Sequence, residues 1–300
     1  MNKNYKYSLD SSSKKFICPN CNKKTFVKFV DNETQQYLNH IDGRCDRESK
    51  CGYFKKPSGN TISTICNTNR NTTVIQTTYH NQNLLQQYAN CKQQSNFITY
   101  LHKHFTQQDV LRVVKRYHIC TTNYWYGATL FWQIDDLNRI RSGKIIQYSS
   151  ITGKRVKEPF NHVSWMHKQL KLTNFVLQQC LFGLHLVNTI SKSDTICIVE
   201  SEKTAIIKSL LIPDFLWLAT GSKTGFKEEI LAPVRKYKII AYPDKTEFSK
   251  WNATTQLLNK KGFQIECSSL LEKIDLENGS DLVDFLNLTY LKVYKHNCFL

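Results

Sequence analysis

Thr195-Ile-Cys-Ile-Val-Glu-Ser-Glu-Lys-Thr-Ala205 is the stretch that decides the fold of this 300-residue chain. Its first five residues are mostly apolar and β-branched, which predicts a buried strand. A helix predicted over Glu202 to Leu211 follows at once, so Glu200 stands where strand gives way to helix. In an open parallel sheet that is the carboxyl edge, where ligands bind. The pattern then repeats: Tyr237-Lys-Ile-Ile-Ala-Tyr242 reads as a second strand and Pro243-Asp244 closes it. A helix with Trp251, Leu257 and Leu258 on its apolar side comes next. Two such strand ends bring Glu200 and Asp244 together. Like charges held close are costly unless a cation lies between them. Hard carboxylate oxygens select magnesium or manganese for that role. An ordinary doubly wound sheet whose strand ends happen to be acidic is the plainer alternative.

Further out in the same half, Phe215 to Ala219 reads as a third strand, followed by Thr220-Gly-Ser-Lys-Thr-Gly225. A turn carrying Gly221 and Gly225 after a strand can present backbone amides to a phosphate. The spacing is not that of a Walker loop. Phe263 to Cys267 is another strand. In Gly279-Ser-Asp-Leu-Val-Asp-Phe-Leu286, Asp281 and Asp284 are three apart and share a helix face, so both could reach a metal. Asp281 is equally well placed to be a helix N-cap.

At the other end of the chain, Cys18-Pro-Asn-Cys21 is a tight knuckle that turns two thiolates toward one ion. Cys45 and Cys51 follow after 23 residues, with five between them rather than the tight two. Thr25 to Val30 reads as a strand, Gln36 to Leu38 as its partner, and Gly43 as a turn. This predicts a zinc ribbon over residues 1–57. Four sulfurs leave no open position for water, so the zinc is expected to be structural. His40 is a possible substitute ligand, and scattered buried thiols are the alternative to a metal site.

Residues 58–96 are rich in Asn, Gln and Thr, and read as a polar linker with one short helix near Leu84–Tyr88; Cys66 and Cys91 in it are taken as unpaired. Helical periodicity returns from Phe97 to His118, with Thr106-Gln-Gln-Asp109 as a capping box opening a helix through Val110, Val113 and Val114. Ala128–Ile134 and Ile140–Tyr148 are strands joined by a turn at Asp135–Arg139. The meander gathers Arg139, Arg141, Lys144, Lys154, Arg155 and Lys157, interleaved with Trp132, Tyr148 and Trp165. Cations beside aromatic rings suit nucleotide or single-strand binding. The plainer reading is basic hairpin tips around core aromatics.

The chain has a formal net charge of +17, unevenly spread. Residues 1–60 carry 12 Lys and Arg against 6 acids, residues 61–190 carry 14 against 4, and residues 191–300 carry 15 against 14. Such a cationic front half is the usual footprint of a polyphosphate partner. No apolar run is long enough to span a membrane, and residues 1–15 lack the apolar block of a signal peptide. Eleven cysteines without an export signal favour reduced thiols in the cytoplasm, some of them on metal.

Val199-Glu-Ser-Glu-Lys-Thr-Ala205 resembles the first motif of the Toprim domain found in DnaG-type bacterial primases, topoisomerases and recombination proteins. Tyr242-Pro-Asp244 resembles the lead-in to its Asp-x-Asp motif. Phe131-Trp-Gln-Ile-Asp135 with Gly143-Lys144 resembles the strand pair of the primase basic subdomain. Leu181-Phe-Gly-Leu184 resembles the box just before the Toprim strand, and Gly279 to Leu286 its acidic third box. The order of zinc ribbon, basic subdomain and Toprim is the primase order and covers nearly the whole chain. The resemblance implies an α/β protein: a zinc ribbon, a basic α/β subdomain over residues 97–190, and a Toprim-type parallel sheet flanked by helices over residues 191–290. It implies Glu200, Asp244, Asp281 and Asp284 as catalytic or metal-binding acids for Mg²⁺ or Mn²⁺. Lys203, Arg141, Lys144, Lys154, Arg155, Gly221 and Gly225 would meet nucleotide or nucleic acid.

Asp244-Lys245-Thr246 departs from Asp-x-Asp and is expected to lower the negative charge of the site by two units, with Glu247 or Asp284 as substitutes. Ser201 replaces a usual glycine. The 300 residues hold no counterpart of the helicase-docking domain of replicative primases, which points to a phage or mobile element. The first expectation is therefore a small primase that makes primers on single-stranded DNA from nucleotides, with a helicase as a possible partner. The second is the same fold with a decayed metal site, binding DNA. A Toprim nuclease is the third.

Overall fold

Ile196, Cys197, Ile198 and Val199 are all essentially sealed from solvent, as a strand packed on both faces demands. They belong to the strand Thr195–Val199 in a computed structural model that describes residues 6–12, 14–47, 51–57, 77–91 and 94–287. Cys66, the linker over 58–76 and the chain beyond residue 287 lie outside the described residues. The chain divides into two compact units, residues 1–72 and 73–300.

The first unit is a small antiparallel sheet of β1 (Tyr7–Leu9), β2 (Phe16–Ile17), β3 (Lys24–Asp31), β4 (Gly43–Cys45) and β5 (Phe54–Lys55). Its order is β1-β3-β4-β5, with β2 also on β3. The expected partner strand at Gln36–Leu38 is reduced to one bridge, Val30 to Tyr37. Cys18, Phe26 and Cys45 form its small core. So few buried side chains cannot hold a fold alone, which makes the four thiols beside them the staple.

The second unit opens with α1 (Asn83–Ala89), α2 (Asn96–Leu101) and α3 (Gln107–Arg116). Thr106 caps α3 by accepting from the Asp109 amide at 3.2 Å. An antiparallel sheet follows in the order β6 (Ile119–Thr122), β7 (Ala128–Ile134), β8 (Ile140–Ile146), β9 (Val163–Trp165), with α4 (Met166–Gln169) after it. Every residue of β7 is buried because the sheet is covered twice. Leu130, Trp132, Ile145 and Met166 pack with Leu84, Leu85 and Tyr88 of α1 on one side. Phe131 and Ile146 join the larger core on the other. Trp132 and Tyr148 are thus core residues, 0% and 4% exposed, and the expectation that they stack on bases is corrected.

That larger core is built on a parallel sheet in the order β11 (Leu216–Ala219), β10 (Thr195–Val199), β12 (Lys238–Tyr242), β13 (Gln264–Cys267). Its helices are α5 (Glu202–Leu211), α6 (Glu228–Leu231), α7 (Phe248–Lys260) and α8 (Leu282–Asn287). On α7, Trp251 and Leu258 face the core as expected, but Leu257 is 61% exposed: one residue before Leu258, it has rotated about 100° off the buried stripe. The segment before β10 is stitched on by Phe182, whose amide donates to Ala219 at 2.9 Å and whose carbonyl accepts from it at 3.2 Å. Gly183 then turns at φ 82°, where a Cβ would meet the Tyr117 ring at 2.9 Å. The fold is therefore mixed α/β, with a four-cysteine ribbon, antiparallel sheets and a helix-flanked parallel sheet.

Candidate functional site

In the first unit, the Sγ atoms of Cys18, Cys21, Cys45 and Cys51 all lie within 4.8 Å of one another. The Cys18–Cys51 and Cys21–Cys45 separations are 3.7 and 3.9 Å. A tetrahedron with Zn–S bonds of about 2.3 Å has edges of about 3.8 Å, so the thiols fit zinc. The knuckle closes where the Asn22 amide donates to the Cys18 carbonyl at 3.0 Å. The longer spacing of the second pair closes the same way, with the Cys51 amide on the Arg47 carbonyl at 2.7 Å. The Lys23 amide helps hold the Cys21 thiol down to about 6, and the Asn20 side chain lowers Cys51; both favour thiolate. His40 is not in this set. The four thiols would hold a structural zinc in a full sulfur shell.

In the second unit, Val199 pairs with Tyr242 across parallel strands, so β10 and β12 end level and release Glu200 and Asp244 at one edge. Burial, then the Glu200 and Asp281 charges, push the Asp244 carboxyl up to about 9. Burial and Glu247 raise Glu200, against Lys223 and Lys144. The acids therefore feel one another. Among the described residues, however, only the four cysteines bring three or more ligand atoms together. Asp281 explains part of this. It caps α8, accepting from the amides of Val283 at 2.8 Å and Asp284 at 3.1 Å, while its own amide donates to Asp284 at 3.0 Å. It also accepts from Thr204 Oγ1 at 2.6 Å and pairs with Lys203 Nζ at 3.5 Å. Burial would raise its carboxyl, but Lys203 and these donors bring it below its ordinary value.

Lys245 does not neutralise the acids. Its Nζ donates to the Ile274 carbonyl at 2.5 Å, and its amide to Ser280 at 2.9 Å. The expected loss of two negative charges is therefore a loss of one, because the ammonium is tethered to another loop. Glu247, the late substitute, pairs with Lys223 at 3.3 Å and Lys250 at 3.4 Å.

The basic meander splits in two. Arg139 and Arg141 both bind Asp135, at 2.9 and 2.7 Å. Lys144 Nζ is held by Glu202 at 3.0 and 3.1 Å and by the Gly221 carbonyl at 2.6 Å. Lys154, Arg155 and Lys157 remain exposed and line a cleft of about 810 Å³ together with Glu200, Lys203 and Asp284. Asp244 is not among the lining residues. The glycine turn is tied down as well. The Thr220 and Gly221 amides donate to Val199 and Glu200 carbonyls, and Gly225 to Ser222, so these amides are spent and do not cradle a phosphate. Gly221 sits at φ 75°, with Glu202 Oε1 only 3.1 Å from where a Cβ would stand. Glu202 is the member that sequence reasoning missed. Its position in the first turn of α5 suits an exposed acid, and no local pattern announces a lysine from another sheet.

No helix among the described residues is long and apolar enough to cross a membrane. Residues 95–245 match the family described as Domain of unknown function (DUF6371), and residues 5–65 match a zinc beta-ribbon finger. No curated protein matches the chain. Among solved structures, it is similar to the primase fragment of the bacteriophage T7 primase-helicase protein, at 12% identity over 94% of this chain and 97% of that one, with a TM-score of 0.42. The zinc-binding and RNA polymerase domains of Aquifex aeolicus primase are similar at 11% identity over 96% and 79%, TM-score 0.43. The E. coli primase catalytic core is similar at 14% identity over 69% and 74%, TM-score 0.42. Likeness of this degree says nothing of activity.

Proposed function

Because the chain belongs to the family described as Domain of unknown function (DUF6371), whose description names no activity, we propose a function from the site itself: metal-dependent, template-directed synthesis of a short polynucleotide, in the manner of a Toprim primase. One observation carries this. Two carboxylates, Glu200 and Asp244, are released side by side from adjacent parallel strands, and each has its proton affinity raised. A carboxyl raised by burial and by neighbouring acids is one whose ionised form a cation would stabilise.

Glu200 and Asp244 would hold magnesium or manganese. Such an ion stabilises charge on a transferring phosphoryl group and orients the attacking hydroxyl. The chain's own contributions are electrostatic. Lys154, Arg155 and Lys157 line the same cleft as Glu200 and suit the phosphates of a nucleotide. Lys203, paired with Asp281, keeps one cation at the acidic wall. Lys144, held by Glu202, shapes a wall rather than meeting the ligand, and Arg141, held by Asp135, is not among the residues that line the cleft. Single-stranded DNA and nucleotides are the proposed partners, with the cationic residues 61–190 as the main electrostatic attraction.

A second reading has its own support. Lys245 replaces a ligand, Asp281 is spent on capping, and no three carboxylates converge among the described residues. These favour a DNA-binding protein with a decayed metal site. Incubating single-stranded templates with labelled nucleotides and Mg²⁺ or Mn²⁺ decides between them. Oligomers from the wild type and none from Glu200→Gln are expected. No product, or equal yield from the variant, sinks the synthesis reading; salt-sensitive strand binding without Mn²⁺ uptake establishes the other.

A further inference from the structure

The rings that the meander exposes are not those interleaved with its cations. Tyr126 is 81% exposed, Phe160 53% and Tyr124 42%. They come from two loops of the second unit, residues 123–127 between β6 and β7 and residues 147–162 between β8 and β9. Half-buried Trp125 and His162 join Tyr124 to Phe160, and Tyr126 follows Trp125 in the chain. Tyr124 lies edge-on to Trp125 at 4.6 Å, Trp125 meets His162 at 5.1 Å, and Phe160 stacks on His162 at 4.2 Å with planes 19° apart.

The two loops are locked to each other. Gln147 Nε2 donates to the Tyr126 carbonyl at 2.7 Å, and the Gln147 amide donates to the His162 carbonyl at 3.1 Å. Gly127 makes the turn at φ 69°, where a Cβ would meet the Asn96 side chain at 2.5 Å. Contiguous exposed aromatic surface on a rigid frame marks a binding site, and pre-organisation removes much of the ordering cost of using it.

Charge says what binds. The loop that supplies Phe160 and His162 also supplies Lys154, Arg155 and Lys157, with Glu158 as the one acid in either loop. Those cations line the cleft beside Glu200, and Phe160 follows Lys157 by three residues, so one loop carries both the rings and a lining of the proposed synthesis site. Flat π faces next to a cationic row match bases on phosphates, and stacking tolerates any sequence.

We propose that Tyr124, Trp125, Tyr126, Phe160 and His162 form a stacking shelf for a single-stranded polynucleotide, which Lys154, Arg155 and Lys157 guide into the cleft. The proposal rests on the synthesis reading in taking that strand as the template.

The test is fluorescence anisotropy of a labelled single-stranded oligonucleotide with the full chain, over a range of salt. Tyr126→Ala and Phe160→Ala should each weaken binding about tenfold without changing the salt slope, because stacking releases no counterions. Phe160→Trp should retain affinity. Arg155→Ala should lower the slope by about one. Circular dichroism melting and Mn²⁺ affinity, unchanged in the exposed-ring variants, show that fold and acid site are intact. Wild-type strand affinity in both alanine variants overturns the shelf, while primer yield and its loss in Glu200→Gln still stand for the synthesis reading. Self-association lost in Phe160→Ala with strand affinity unchanged also overturns it, assigning the surface to a second copy.

Discussion

Lys144 Nζ lies 3.0 and 3.1 Å from the two carboxylate oxygens of Glu202, a residue 58 positions away at the start of α5, with both side chains buried. The pair ties β8 to the first turn of α5, and through the Gly221 carbonyl it holds the turn after β11. It sets the distance between the basic and acidic walls.

Breaking it from one side should therefore cost far more than replacing it whole. Lys144→Met leaves Glu202 buried without a partner and is expected to destabilise the second unit by about 3–5 kcal/mol. Glu202→Leu does the reverse and costs a similar amount. The double variant should cost much less than the sum. Urea unfolding of all four proteins measures this, and strict additivity would show that the two charges are independent.

Zinc is expected at one ion per chain, held by Cys18, Cys21, Cys45 and Cys51. Cys21→Ser or Cys45→Ser should abolish stoichiometric zinc by elemental analysis. A strong chelator should unfold the ribbon, whose buried core among the described residues is small. The parallel-sheet unit, with its own core, should melt unchanged.

Asp244 gives a pH signature. Its carboxyl, pushed up to about 9, is protonated at neutral pH, so a divalent ion must displace a proton to bind. Mn²⁺ affinity by calorimetry should rise about tenfold per pH unit up to about 9 and then level. Its stability effect has the opposite sense. A carboxyl raised above its unfolded value binds its proton in the folded state. The Asp244 contribution to metal-free stability is therefore most favourable below about pH 4 and is lost as pH rises toward about 9. Asp244→Asn should lose the ion and, metal-free at pH 7, gain about 2 kcal/mol, a discounted figure for a half-buried group.

Two histidines work the other way. His80 and His185 are pushed down to about 4, chiefly by burial. His185 Nε2 donates to the Arg116 carbonyl at 3.1 Å, which only partly offsets that. Unfolded histidine takes its proton near 6.5, so stability should fall as pH drops from about 6.5 toward 4. The loss is on the order of 3 kcal/mol for His185 at the acid limit. His185→Gln should flatten the acid limb of a stability–pH curve; an unchanged limb would discount the burial.

How much of this was legible depends on the range of the interaction. β10 and α5 appear with the predicted bounds, and Thr106 caps α3, because period and capping are written in adjacent residues. The knuckle of Cys18 and Cys21 is equally local. Side-chain direction was not legible. Lys245 looked like a charge in the acid site, yet it reaches Ile274, 29 positions on. Trp132 and Tyr126 are both aromatic residues of one meander. Only the cover of α1 on one face of the sheet makes Trp132 core and leaves Tyr126 outside. The Lys144–Glu202 bond joins two sheets, and no repeat within either segment encodes it.

The bridge between Phe182 and Ala219 has a bearing on solubility. β11 is the outermost strand on its flank, and a bare flank there would offer amides and carbonyls to a foreign strand. By occupying both hydrogen-bonding groups of Ala219, the Phe182 segment blunts that flank at the end nearest Glu200. Proline at position 182 would remove the donor of that pair. It would also empty a fully buried core position, so a loss of stability should accompany sheet-to-sheet association on concentration.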